Sequence, residues 1–229
     1  MYHIHNAQHH PPLQVRIFRS FALPIFRILY QILSRPRIEG FHNIPKHGSY
    51  LITANHLSYY DPPLAVSFWP HPPEVLGAAS QMAKPGIGHI MRWYGTHPVH
   101  RDASASDFSV LRLSLAILRS GCPLLIMPEG RRNPTGLGQA QLGAAYLASK
   151  AKVPIVPVAI TGSERIFHVL RRGRRQTLHM TIGKSYHLPS LEGLNRKQTL
   201  HAFTDIIMQR IAEQLPDQYR GKYAISKDE

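Results

Sequence analysis

From residue 37 onward, short apolar runs alternate with stretches of helical periodicity, and this alternation confines the chain to an α/β fold. Strands are expected at 50–54, 74–78, 97–99, 123–127, 153–160 and 177–182, and helices at 62–69, 84–94, 104–120, 138–151 and 196–215. The architecture that follows is a mixed, largely parallel sheet flanked by helices. Several helix ends are legible. Ser104 with Asp107 fits a capping box, Gly121 stands where a helix closes in a left-handed residue, and Asn195 suits the N-cap of the last helix. Pro154 and Pro157 fall inside a strand, which points to an edge or a bulge.

The 229 residues suffice for one domain with a real core, divided here as a leader at 1–12, amphipathic helices at 13–35 and an α/β domain at 36–229. The lone Cys122 excludes an internal disulfide framework and a multi-cysteine zinc site. A net charge of +14 attracts polyanions, whether nucleic acid, an anionic membrane, acidic proteins or phosphorylated substrates.

MYHIHNAQHHPP lacks the basic n-region of a secretory signal, and its histidines are expected to belong to a floppy leader rather than a metal site. The apolar run from Leu13 to Leu33 could span a bilayer by length, but Arg16, Arg19 and Arg27 interrupt it. At helical spacing the three arginines share one sector, while Ile17, Phe18, Phe21, Ile25, Ile28, Leu29 and Ile32 cluster opposite. Pro24 is expected to divide the run into two short helices. Two placements stand: the pair packs on the domain, or it docks in the membrane interface, which the basic and aromatic composition favours.

Two His-x4-Asp pairs occur, His56–Asp61 in NHLSYYDP and His97–Asp102 in HPVHRD, so spacing alone does not identify a catalytic pair. Five helical positions would point the two side chains some 140° apart, so a working pair needs a loop. Strand 50–54 delivers Asn55 and His56 to its C-terminal end, where open α/β sheets bind ligands. Asp61 then precedes Pro62 as an expected N-cap, and the loop can fold it back on His56. His97–Asp102 straddles a short strand and lacks that platform. A third stretch, PEGRRNPTG, places Glu129, Gly130, Arg131 and Arg132 at the end of strand 123–127. Arginine grips phosphate with paired hydrogen bonds, and Arg101 and Lys84 emerge nearby along the chain order. A phosphate-bearing substrate beside a general base is the expectation.

These residues resemble the PlsC-type lysophospholipid acyltransferases. NHLSYYDP matches the first block of that family, GTHPVHRD resembles the second, MPEGRRN the third and VPIVPVAITG the fourth, in order over about residues 37–185. LPDQYRGKY is also similar to the family. Arg131 stands where the third block usually has threonine, and Asn133 where it has serine; the lysine often found before the position of Gly143 is absent. The resemblance implies acyl transfer from a thioester, on coenzyme A or acyl carrier protein, to the hydroxyl of a lysophospholipid, most commonly 1-acylglycerol-3-phosphate. It makes His56 the general base and Asp61 its orienter, without a covalent acyl-enzyme; imidazoles titrate near 6.5, which suits the task. It assigns Arg101, Arg132 and Lys84, with Arg131 and Asn55 beside them, to substrate binding, Glu129 to orienting the acceptor or the arginines, and Gly130 to close backbone approach. No metal or other cofactor is called for. The expected location is a membrane surface on the cytoplasmic face.

Other classes are weaker. Ser58 lacks a G-x-S-x-G elbow, Cys122 opens an apolar strand as an inert thiol does, and no nucleic-acid reading motif accompanies the basic residues, so nucleic acid is not an expected partner. Arg171–Arg175, RRGRR, reads as a solvated loop.

Overall fold

The computed structural model describes residues 10–100 and 104–224, and for residues 104–107 the backbone alone. The elements in order are α1 (Leu13–Leu33), β1 (Ser34–Glu39), β2 (Leu51–Ala54), α2 (Asp61–Phe68), β3 (Glu74–Ala78), α3 (Ala79–Met82), α4 (Ile87–Tyr94), β4 (His97–Val99) and α5 (Ser104–Arg119). There follow β5 (Leu124–Ile126), α6 (Gly143–Ala151), β6 (Ile155–Thr161), α7 (Ile166–Leu170), β7 (Gln176–Ile182) and α8 (Arg196–Ala212). The seven strands lie in the order β1-β7-β6-β2-β5-β3-β4. All neighbours are parallel except β6 and β7, so the expected mixed, largely parallel sheet is present.

The central strands carry apolar side chains toward both faces, as parallel strands covered on both sides must. One face packs Leu23 and Tyr30 of α1 and Leu64 and Ala65 of α2 on Ile52, Leu125 and Val156. The other packs Leu118 of α5, Leu147 of α6 and Ile207 and Ile211 of α8 on Leu51, Leu124 and Ile155. The prolines expected at an edge lie elsewhere, because β6 is an interior strand. Pro157 is tolerated because it stands where the β6–β7 ladder opens: its carbonyl accepts from Gly183 at 2.8 Å, and only the bond its own nitrogen would donate is lost.

Asn195 caps α8 in a capping box, its side chain accepting from the backbone N–H groups of Lys197 and Gln198 while Gln198 returns to the Asn195 N–H. Gly121 closes α5 with φ 88°. The helix expected at 138–151 starts at Gly143, because the Gly138 N–H is drawn to the Glu129 carboxylate and the Gln141 N–H to the Pro128 carbonyl. The edge strand β1 lies in the segment SRPRIE, whose charges and proline hide the pattern; its burial alternates only because one face meets the sheet.

The N-terminal segment corrects the expectation of two helices. α1 is one continuous helix with Pro24 inside it. Pro24 and the Ser20 carbonyl it leaves without an N–H partner lie on the exposed side, and clamps on either side keep the helix in line. Upstream, Arg19 pairs with Glu74 at 2.7 Å, donates to the Tyr94 carbonyl at 2.9 Å and stacks over the Tyr94 ring. Downstream, Arg27 donates to the Ser67 carbonyl and Tyr30 to the Tyr60 carbonyl, both on the α2 side. Arg19 and Arg27 therefore turn to the domain, while Arg16 is exposed, as are Leu13, Ile17, Phe21, Ile25, Ile28, Leu29 and Ile32. Arg175 donates to the carbonyls of Gln31 and Ser34, so this member of the supposedly solvated RRGRR loop caps the end of α1. α1 is thus an integral layer of the domain, and the sheet begins at Ser34. Among the described residues, no helix is long and apolar enough to cross a membrane.

Candidate active site

The C-terminal end of β2 runs into Asn55, which is buried and spends both ends of its amide on one residue. Its Oδ1 accepts from the Ile160 N–H at 2.7 Å and its Nδ2 donates to the Ile160 carbonyl at 2.8 Å. The side chain thereby extends the pairing with β6 while the backbone turns away. Asn55 is a scaffold for the loop, not the substrate contact expected of it.

The His56 backbone is held on both sides. Its N–H donates to Glu129 Oε1 at 3.0 Å, and its carbonyl accepts from the Asn133 N–H at 2.7 Å. Its ring lies with Nδ1 3.0 Å from Asp61 Oδ2. Asp61 is fully buried and accepts from the Ser58 N–H at 2.6 Å through the same oxygen. Its other oxygen accepts from the Ser58 hydroxyl at 3.3 Å and from the Ser163 hydroxyl. The expected N-cap role does not hold. Asp61 is the first residue of α2, the cap position belongs to Tyr60, and no side chain caps the helix, because the carboxylate is turned back into the loop. Its charge still lies at the positive end of the α2 dipole.

An ionised carboxylate can only accept, so the network puts the imidazole proton on Nδ1 and leaves the lone pair on Nε2. The ring is partly exposed while Asp61 is sealed from solvent. Such an arrangement holds one tautomer and leaves Nε2 able to accept a proton.

Glu129 is also buried, and both its oxygens are used: Oε1 on His56, Oε2 on the Gly138 N–H at 2.9 Å. It ties the His56 loop to the 129–138 turn. Burial pushes its carboxyl above the ordinary range, partly opposed by the N–H donors of Gly138 and His56. Gly130 turns with φ 65°, a conformation that favours glycine and reverses the chain directly after Glu129.

The cations divide. Arg132 lies with its guanidinium carbon 3.4 Å from the centre of the Tyr59 ring and donates to the Tyr59 hydroxyl at 2.7 Å. Lys84 Nζ is 5.8 Å from the centre of the same ring. Tyr59, inside the His56–Asp61 loop, thus gathers two of the expected phosphate ligands, a role that its place among unspecified positions did not signal. Arg131 is exposed on the adjoining turn. Arg101 and Asp102 lie outside the described residues. His97 is not a second base: its Nε2 lies 2.8 Å from Glu74 Oε2, completing a buried Arg19–Glu74–His97 chain near the opposite ends of the strands. Cys122 is partly buried, and burial raises its thiol pKa, so it has the character of an inert thiol. Among the described residues, no three His, Cys, Asp or Glu side chains gather as metal ligands.

Comparisons with known proteins identify the family. The family model described as Acyltransferase matches residues 35–161. The chain is 22% identical to a 1-acyl-sn-glycerol-3-phosphate acyltransferase of Bacillus subtilis, over 85% of this chain and 95% of the relative. It is 28% identical to a chloroplastic 1-acyl-sn-glycerol-3-phosphate acyltransferase of Brassica napus, over 56% of this chain and 38% of that longer protein. The crystal structure of the 1-acyl-sn-glycerophosphate acyltransferase PlsC from Thermotoga maritima shares the fold, with a TM-score of 0.59 and 21% identity over 87% of this chain and 79% of that one. The matched segment spans both the His56–Asp61 loop and the Glu129–Arg132 turn and covers more than half of the sequence: the chain belongs to the acyltransferase family and is an enzyme of that class.

Proposed function

We propose that the protein moves a fatty acyl group from an acyl thioester, on coenzyme A or acyl carrier protein, to the free hydroxyl of a lysophospholipid, with 1-acylglycerol-3-phosphate as acceptor and phosphatidate as product. The carrying observation is the His56 Nδ1–Asp61 Oδ2 contact of 3.0 Å on a buried carboxylate, beside a tyrosine that collects Arg132 and Lys84. In this reading His56 Nε2 takes the acceptor hydroxyl proton as its oxygen attacks the thioester carbonyl. Asp61 supports the imidazolium that forms. The tetrahedral centre collapses, the C–S bond breaks, and the proton on Nε2 passes to the leaving thiolate. Arg132 and Lys84, with Arg131 on the same turn and Arg101 from the second block, bind the acceptor phosphate. No metal or cofactor takes part in a step.

The exposed apolar face of α1 supports docking on the membrane that holds the acceptor, and the net charge of +14 suits an anionic, cytoplasmic surface. The same site on another lysophospholipid head group is the second reading, favoured by Arg131 and Asn133 at positions where the family usually differs. Purified protein with a labelled acyl thioester and a panel of lysolipids, read by lipid mass spectrometry, separates the two. His56→Ala is expected to abolish transfer with the fold retained, and Arg132→Ala to raise the acceptor KM more than the donor KM. Near-normal turnover of a folded His56→Ala variant overturns the mechanism.

A further inference from the structure

The loop that carries His56 and Asp61 is stitched to the end of β6 at two points. At its start, Asn55 pairs with the backbone of Ile160. At its end, the hydroxyl of Ser163 donates to Asp61 Oδ1. Ser163 lies 102 positions after Asp61 in sequence and is 1% exposed. Its place is built by the turn before it. Gly162 has φ 86°, and a Cβ there would meet the Thr177 carbonyl oxygen at 2.4 Å, so the chain can make this turn only with glycine. The turn sets Ser163 at the start of the short helical stretch Ser163–Arg165, with its hydroxyl on the carboxylate.

The two oxygens of Asp61 have different duties. Oδ2 carries the working contact with His56 Nδ1 and is steadied by the Ser58 N–H. Oδ1 takes only hydroxyls, from Ser163 and, at 3.3 Å, from Ser58. The Ser58 hydroxyl is the weaker holder, because it belongs to the same loop, lies farther away and also accepts from the Tyr60 N–H. Among the described residues, Ser163 is the one side chain from outside the loop that bonds Oδ1 and so fixes rotation of the carboxylate about its Cβ–Cγ bond. Without it, Oδ1 loses a charge-assisted donor in a site closed to water, and Oδ2 is free to swing off the Nδ1 axis.

We infer that Ser163 is a positioning residue of the acyl transfer: it acts through Asp61 on the orientation and tautomer of His56 and touches neither substrate. This rests on the reading of His56 and Asp61 as base and orienter. A residue of this kind changes the rate of the proton-transfer step and leaves substrate binding alone.

The test is steady-state kinetics of the full chain on vesicles holding 1-acylglycerol-3-phosphate, with Ser163→Ala, Asp61→Ala, the double variant and His56→Ala, each checked by thermal unfolding. Ser163→Ala is expected to lower kcat about tenfold, equivalent to about 1.4 kcal/mol in the barrier. Both KM values are expected to stay within about twofold of the parent. In the Asp61→Ala background the same change is expected to lower the residual rate no further, because the residue it acts through is gone. An unchanged kcat for Ser163→Ala overturns the inference. So does a loss of equal factor in both backgrounds, or, where Asp61→Ala leaves no measurable rate, a loss that follows a lowered unfolding temperature or a raised KM. A folded, active His56→Ala variant instead removes the underlying reading, and the two failures are told apart by which variant keeps its rate.

Discussion

Removing Phe21 and Ile28 from the outer face of α1 is expected to weaken binding to anionic vesicles by between about 20-fold and about 450-fold while the fold stays intact. The two residues are seven positions apart, so they lie within about 20° of each other around the helix. Phe21 is 70% exposed and Ile28 is 54% exposed. Moving a whole side chain of either type out of water is worth about 1.5–3 kcal/mol. Scaled by the exposed fractions, the pair contributes roughly 1.9–3.7 kcal/mol to docking, at 1.4 kcal/mol per tenfold change in affinity. Alanine preserves helix propensity, and exposed substitutions away from special features usually change stability by no more than about 0.5 kcal/mol. The assay is flotation of the purified Phe21→Ala/Ile28→Ala protein with vesicles containing phosphatidylglycerol, beside its thermal unfolding. A folded variant that partitions within about twofold of the parent refutes docking through this face. Deleting α1 would not serve, because Leu23, Tyr30 and Arg19 are part of the core and of its buried ion pair.

Arg19→Ala is expected to cost about 3–5 kcal/mol of stability in denaturant unfolding, because it leaves the buried Glu74 carboxylate with His97 but without its guanidinium; a loss under about 1 kcal/mol would show that the pair is solvated. Glu129 supplies a pH dependence. Its carboxyl is raised by burial, so the folded state binds its proton more tightly than the unfolded chain does. Its contribution is therefore present below the ordinary carboxylate pKa and is lost as pH rises through the raised value. Relative to Glu129→Gln, the parent should lose stability as pH rises from the ordinary carboxylate range through the raised value, measured by unfolding at a series of pH values; parallel curves, or a gain, would contradict the burial argument.

How much of the molecule was legible depended on whether a feature was written in a local pattern. The strands at 74–78 and 97–99 emerge at those bounds, since short apolar runs between turns carry their own limits. β1 was illegible because its partner β7 lies far along the chain and SRPRIE has no apolar period. His56 and Asp61 were found as a pair on a strand–loop–helix platform, and the structure brings them together. The surroundings of that pair were not found. Asn55 and Glu129 resembled substrate ligands in sequence, yet each is bonded to the backbone of a residue far along the chain. Ser163 and Tyr59 could not be singled out, because a serine after a Thr-Gly turn and a tyrosine between His and Asp have no distinctive local signature. Pro24 misled for a related reason: its cost is local, while the clamps at Arg19 and Arg27 on either side of it engage residues 40 or more positions away.

The grip of Arg175 on the end of α1 has a consequence for the order in which the chain is made. The two partners are 144 positions apart, and β1, which directly follows α1, finds its only neighbour in β7. At about 5–20 residues per second, synthesis leaves α1 and β1 without these partners for on the order of ten seconds. The His56–Asp61 loop, which bonds to Ile160 and Ser163, is likewise unfinished for most of that interval. α1 is therefore made well before the elements that fasten it, so a nascent chain carries the exposed apolar face of this helix before it carries the completed His56–Asp61 loop.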